Sequence, residues 1–363
     1  MKIAMVISSF RPIIGGAERQ LEGMLPHMAD YGISATVLTR RISGTNKIEY
    51  TDTYQIKRLS EFMPKIGFGI SLAFELIVFR NEYDLIHCHT LNGQAALVSV
   101  IIGRLIKKPV ILKVTRSGKG THIDRYNKSF LGRQMLKILF KYSSKIVAIT
   151  QDVENELISS DFDKEMIISI PNGVDILPSQ TNHSNKKVRI ISVGRLIKRK
   201  RIGLLIRTLK QLVEDYDIEL IIIGDGPYKD ALISQTKKLS LNKNIRFIGN
   251  VSKEDVHNHL LESHIFAFPS SSEGMSNALL EAMSAGLSVI VSGIPANLEL
   301  IENRKNGLVF HDENSFRDNL RELLHDINLR SSLGSNARAT IERKFSFSRI
   351  SESYNTIYKD LLD

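Results

Sequence analysis

IFAFPSSSEGMSNALLE, residues 265–281, is the stretch on which the reading of the fold turns. Its first four residues form an apolar run of strand length, and Pro269 ends that run. Ser276 then stands as a helix N-cap ahead of Ala278, Leu279 and Leu280. Strand, polar loop and helix start in this order make one unit of a parallel α/β sheet, where ligands are met at the carboxyl ends of strands. The N–H groups that open such a helix suit a phosphate or a sugar oxygen. Asn277 and Glu281, four residues apart, share a helix face, and Glu273 lies just before the helix. Two carboxylates beside an anion site make sense for a ligand that also carries hydroxyls.

The same rhythm extends in both directions. Short apolar runs at 2–7, 34–38, 85–87, 110–114, 146–149 and 167–170 alternate with helical patterns, and so do runs at 189–193, 219–223, 245–248, 288–291 and 307–310. This predicts an α/β protein with two parallel sheets. Residues 176–187 are polar and without periodicity, contain Pro178, and read as the linker between them. Two sheets joined by one linker predict a cleft, with the informative residues in the loops that follow strands.

Composition narrows the class. A chain of 363 residues, 42% apolar and 24% charged, suits two soluble domains. Cys88 is the single cysteine, which excludes an internal disulfide and a cysteine-built metal site and points to a cytoplasmic setting. The apolar run after Met1 reads as a buried strand, not as a signal peptide. The apolar stretch 95–106 is broken by Gly103 and Arg104 and falls short of the roughly 18–20 residues of a membrane span. Net charge is +10, and residues 101–145 hold twelve Lys/Arg against Asp124 alone. Residues 186–210 add ten basic residues and no acid. Such clustering favours an anionic ligand or surface.

Two further loops carry chemistry. Gly15-Gly16-Ala17-Glu18 follows the first strand and opens a helix, so a backbone can approach a phosphate or sugar there. It is not the G-x-G-x-x-G dinucleotide fingerprint, which argues against a nicotinamide or flavin enzyme. The run 189–193 leads into Gly194-Arg195-Leu196, with Lys200 five residues beyond Arg195. Two cations at a strand end suit a diphosphate: Arg binds in a bidentate fork and Lys acts as a point charge.

With these residues in place the chain resembles the family-4 retaining glycosyltransferases of GT-B fold over nearly its whole length. The resemblance rests on Gly15–Glu18, on Pro171-Asn172-Gly173-Val174-Asp175, on Ser192-Val193-Gly194-Arg195-Leu196 with Lys200, on Ile223-Gly224-Asp225-Gly226-Pro227, and on Glu273 and Glu281 with seven residues between. It implies two Rossmann-like domains facing each other across a cleft. An acceptor-binding domain would span 1–176, a linker 177–187 and a donor domain 188–345, with the segment 346–363 packing back on the first domain. Arg195 and Lys200 would hold the donor diphosphate, helped by backbone N–H groups of Gly16, Ala278 and Leu279. The loop from Glu273 through Gly274, Met275, Ser276 and Asn277 would surround the donor. Glu273 would contact the transferred sugar and stabilise its oxocarbenium-like centre, and Glu281 would bind the ribose. The 247–251 loop would meet the base near Val251, and residues 171–174 would form the interdomain hinge. Anomeric configuration would be retained, the leaving phosphate accepting the acceptor's proton, so catalysis would be positioning and charge stabilisation. No cofactor is implied beyond the nucleotide-diphosphate sugar itself, with UDP the leading choice.

Departures and decoys remain. Many relatives carry a histidine where this chain has Thr115, in the run Lys113-x-x-x-Ser117-Gly118, so Arg116 or His122 takes the acceptor-side role beside His89. The glycine usual after the diphosphate lysine is Arg201. Asp161-x-Asp163 and Asp215-x-Asp217 precede strands, the wrong end of a parallel sheet for a metal. His87-x-His89 is read as two side chains directed apart, with His87 structural, so no metal site is expected. Arg133, Lys137, Lys141 and Lys145 recur every four residues beside an apolar face of Phe130, Leu131, Met135, Ile138, Leu139 and Tyr142. That pattern predicts peripheral contact with an anionic membrane and hence a glycan or lipid-linked acceptor. No nucleic-acid module is present. The alternatives are a nucleotide-sugar 2-epimerase and a non-catalytic partner subunit.

Overall fold

The computed structural model describes residues 1–13, 15–61, 63, 66–91, 93–118, 120–178 and 187–363. The chain divides into unit 1, residues 1–173 with 347–363, and unit 2, residues 174–346. Most of the expected linker, residues 179–186, lies outside the described residues.

Unit 1 begins with β1 (Lys2–Val6), α1 (Gly16–Ala29), β2 (Ser34–Arg40), β3 (Ile48–Tyr50) and β4 (Tyr54–Leu59). It continues through α2 (Gly67–Val78), β5 (Leu85–Cys88), α3 (Gly93–Leu105), β6 (Val110–Val114) and α4 (His122–Asn127). α5 (Phe130–Tyr142), β7 (Lys145–Ala148), α6 (Gln151–Ser159) and β8 (Ile167–Ser169) follow. The strands form an eight-stranded sheet ordered β3-β4-β2-β1-β5-β6-β7-β8, parallel except for the antiparallel β3–β4 pair.

Unit 2 runs β9 (Val188–Val193), α7 (Ile202–Lys210), β10 (Ile218–Ile223), α8 (Lys229–Lys238), β11 (Ile245–Gly249) and α9 (Lys253–Leu261). Then come β12 (Ile265–Phe268), α10 (Asn277–Ser284), β13 (Ser288–Ser292), α11 (Pro295–Leu298), β14 (Leu308–Phe310), α12 (Glu313–His325) and α13 (Ile327–Lys344). Its six strands are ordered β11-β10-β9-β12-β13-β14, all parallel. The final helix, α14 (Phe347–Leu362), packs on α1 in unit 1 and buries Phe347, Ile350, Tyr354 and Tyr358 beneath it.

Every apolar run read as a strand is one, within two residues at either end. Apolar residues lie on both faces of these strands, as a sheet covered on both sides requires, and Ile3 through Val6 are wholly buried. No strand is expected from the apolar pattern at β3 or β4. There Lys57 and Arg58 interrupt the apolar pattern, and the structure pairs them instead of exposing them. Arg58 is buried against Glu49 and the carbonyls of Asn46 and Arg11. Lys57 lies between Glu75 and Glu82.

Close backbone approach explains Gly224 and Gly226 of unit 2. A Cβ on Gly224, whose φ is +127°, would fall 2.1 Å from the Gly194 carbonyl oxygen. One on Gly226 would fall 2.4 Å from the Leu196 carbonyl oxygen. The loops after β9 and β10 are thus pressed together, and Leu196 N–H donates to the Asp225 carbonyl at 2.9 Å.

Candidate functional site

In unit 2 the expected donor residues gather at the carboxyl ends of β9 and β12. Past Gly194 the chain forms a short 3₁₀ turn over Lys198–Lys200, and Arg201 follows with φ +52°, a left-handed conformation. That conformation accounts for the glycine usual at this position, since a Cβ is strained there. The turn places Lys200 Nζ 2.7 Å from Glu273 Oε1 and 4.6 Å from the centre of the Phe268 ring. Arg199 reaches the other carboxylate oxygen at 3.3 Å, and Ser270 Oγ donates to Oε1 at 2.5 Å. The side chains of Lys200 and Glu273 are only 13% and 10% exposed, so their attraction is far less screened than that of a surface pair. Burial lowers the Lys200 ammonium from its usual value, Glu273 opposes that shift, and Arg199 adds to it.

Around this pair the expected donor residues fall as follows. Ser276 caps α10, accepting from Leu279 N–H, so the first turn of α10 begins beside the Glu273 loop. Met275, Ser276 and Leu279 are buried; Gly274, Asn277 and Ala278 are half-buried. Glu281 is buried one turn further along α10. Arg195 is exposed at the end of β9 and enters no ion pair among the described residues. The 247–251 loop is a correction: β11 carries the ladder to Gly249, leaving Asn250 and Val251 before Ser252 caps α9. Arg199 and Ser270 were missed in the sequence. The basic run signalled a cation at Arg199, but only the turn shows which of its members faces Glu273.

Unit 1 gathers the three acceptor-side candidates. His89, Arg116 and His122 line one cavity of about 340 Å³, together with Ser9, Glu18 and Arg125. The cavity lies at the carboxyl ends of β1, β5 and β6, beside the first turn of α1, where Gly16 stands. Ser9 Oγ donates to Glu18 Oε1 at 2.5 Å, and a Cβ on Gly15 would collide with the same carboxylate. Burial lowers the His122 imidazole from its usual value, and Arg125 and Arg116 lower it further. The sequence points to Glu18 only as the end of the Gly15–Glu18 motif and gives Arg125 no part in the site.

Two expectations are overturned here. His87 and His89 are not directed apart: their rings stack 4.0 Å between centres, because residues two apart on a strand share a face. Both are buried, and burial holds both well below the usual imidazole value, hence neutral. His87 Nδ1 meets the Tyr358 hydroxyl at 2.6 Å, which ties α14 to the ring stacked on the cavity-lining His89. The basic stripe is also shorter than read. Lys145 opens β7, where its Nζ donates to the Glu165 carbonyl, so the stripe on α5 is Arg133, Lys137 and Lys141. Of the apolar face, Leu139 is buried and Met135, Ile138 and Tyr142 are half-buried, while Phe130 and Leu131 are exposed.

Among the described residues no group of three or more His, Cys, Asp or Glu is arranged to hold a metal ion. Asp163 caps the 3₁₀ turn Lys164–Met166, and Asp215 and Asp217 precede β10, at the amino end of that strand. Among the described residues no helix is long and apolar enough to cross a membrane.

Comparison with known proteins identifies the family and the fold. The family described as Glycosyltransferase Family 4 matches residues 14–176, and Glycosyl transferases group 1 matches residues 174–340. An uncharacterised glycosyltransferase of Methanocaldococcus jannaschii is 24% identical over 386 aligned residues, covering 99% of this chain and 98% of that protein. The capsular polysaccharide biosynthesis glycosyltransferase CapM of Staphylococcus aureus is 25% identical, covering 80% of this chain and 81% of CapM. The crystal structure of Anabaena HepE in complex with UDP and glucose superposes with a TM-score of 0.79 at 20% identity, covering 99% of this chain and 100% of that one. With both family matches spanning residues 14–340 and the fold shared end to end, this chain belongs to the family-4 glycosyltransferases of GT-B fold and is a transferase enzyme.

Proposed function

We propose that the protein transfers a hexose-type sugar, with retention and without a metal, from a nucleotide-diphosphate sugar to a glycan or lipid-linked glycan in polysaccharide or glycolipid assembly. The observation that carries this reading is the buried pair of Lys200 and Glu273 beside the capped start of α10. Lys200 closes the strand end so tightly that the hollow between Gly194 and Phe268 holds only about 10 Å³. A donor diphosphate competes with Glu273 for Lys200 and draws on Arg195, which has no ion-pair partner among the described residues. Glu273, so released, faces the sugar hydroxyls and the cationic centre that develops as the anomeric bond breaks. Arg195, Lys200 and the first turn of α10 stabilise the departing diphosphate, the charge a divalent ion would otherwise neutralise. Glu281 takes the ribose and the backbone at Val251 the base.

UDP is favoured as the donor nucleotide because HepE was crystallised with UDP and glucose. Acceptors of the assembly type are favoured by CapM and by one component of the human phosphatidylinositol N-acetylglucosaminyltransferase, 26% identical over 81% of this chain. His89, Arg116 and His122 receive the acceptor, and the cations of α5 bring the protein to an anionic membrane at its cytoplasmic face. The test is thermal stabilisation by UDP-, GDP- and ADP-sugars in chelator, wild type beside Lys200→Ala. A ligand bound only by the folded chain raises stability by RT ln(1 + [L]/Kd), about 2.7 kcal/mol at a hundredfold excess over Kd. A shift for one nucleotide series that Lys200→Ala loses supports the reading; no shift for any of them contradicts it.

A further inference from the structure

We propose that unit 1 docks on an anionic bilayer through the whole outer face of the helical layer α2, α3 and α5, with apolar side chains entering the lipid and the basic residues resting on headgroups. This deepens the membrane contact proposed for α5 and rests on it. The connections β4 to β5, β5 to β6 and β6 to β7 all step the same way across the sheet, so right-handed crossovers set these helices on one side of it. They pack side by side, α2 on α3 and α3 on α5, while α1 packs with α14.

Each helix buries one face and leaves large apolar residues on the other. α2 buries Phe68, Leu72 and Leu76 and exposes Ile70 and, at 63%, Phe74. α3 exposes Ile101 and, at 67%, Leu105. α5 exposes Phe130 and Leu131 at its start, 71% and 68%. Leaving these side chains in water forgoes the free energy of their burial, and neighbouring exposed apolar groups mark an interaction surface.

Charge selects the occupant. α2, α3 and α5 contain one acid, Glu75, which is buried and bound to Lys57 and Tyr83. Their solvent face therefore carries no carboxylate, whereas Arg104, Arg133, Lys137 and Lys141 lie on it exposed. Apolar residues set among cations fit the boundary of an anionic bilayer. A second copy of the chain would bring these cations against each other.

The chain has no tryptophan, so one introduced residue reports its own surroundings. Phe74→Trp and Leu105→Trp are the probes, and Ile327→Trp, exposed in unit 2, is the control. With vesicles of 30% phosphatidylglycerol in phosphatidylcholine, the two probes shift to shorter wavelength and are quenched by brominated acyl chains, and the control is not. Lys137→Glu with Lys141→Glu weakens vesicle binding by at least about 25-fold, each removed cation being worth about fivefold. Their retained stabilisation by nucleotide sugar separates docking from catalysis. Absence of vesicle binding, binding with no response from either probe, or a dimer that Phe74→Ser dissociates would each overturn the proposal. Loss of nucleotide-sugar binding in the wild type would instead defeat the donor reading and leave the docking result standing.

Discussion

Replacing the Tyr358 hydroxyl tests the link between the last helix and the cavity of unit 1. His87 is fully buried and neutral, and its only polar contact among the described residues is Tyr358 Oη, because Nε2 has none. Tyr358→Phe therefore strands the whole imidazole in the core. Leaving a buried polar group without a partner costs about 1–3 kcal/mol. Tyr354, one turn away and equally buried, offers an internal control, since its hydroxyl has no partner to lose. Tyr354→Phe removes a buried hydroxyl that already lacks a partner, so it is expected to leave stability unchanged or raise it by up to about 1–3 kcal/mol. Urea unfolding followed by circular dichroism reads the difference. The stacked His89 ring lines the cavity, so Tyr358→Phe should also raise the acceptor KM while leaving the donor KM alone. Equal stability loss in the two variants, or a shift in donor KM only, would refute the reasoning.

Three further outcomes are expected. Arg201→Gly should stabilise the protein by about 0.5–1 kcal/mol in thermal unfolding, because the left-handed residue loses its Cβ strain and repays part of it in chain entropy. Ser276→Ala removes the cap of α10 and should cost about 0.5–2 kcal/mol, with weaker nucleotide-sugar binding in calorimetry. Burial brings Lys113 down to about 8 from the usual 10.5, so between those values the unfolded chain holds the extra proton and the contribution of this residue to stability rises with pH, by about 3 kcal/mol in all. Lys113→Met should remove that rise and be the more stable protein at pH 7. On the acid side, neutral His87 and His89 should make stability fall as pH drops below 6.5, in both proteins.

What the sequence revealed depended on which physical signal each feature leaves. The buried strands were legible because a sheet covered on both faces needs continuous apolar runs, and the Ser276 cap because its chemistry is local. β3 and β4 were not, since the ion pairs that permit Lys57 and Arg58 in strands join residues far apart in sequence. The grouping of Lys200 with Glu273 was readable as two separate loops, but not as a mutual pair, and Arg199 was lost among neighbouring cations. His87 and His89 were misdirected by a wrong application of strand geometry. The exposed apolar face of α2, α3 and α5 needs the sheet order to bring three helices side by side.

The most direct test of the central claim is release of nucleotide from UDP-hexoses in excess chelator, wild type beside Glu273→Gln. Wild type should turn over undiminished by chelation, and the variant should fall by roughly 10²–10³-fold, the loss typical when one stabilising group at a developing charge is removed. Activity that chelation abolishes, or a Glu273→Gln enzyme as fast as wild type, would contradict a metal-free donor site built on Lys200 and Glu273.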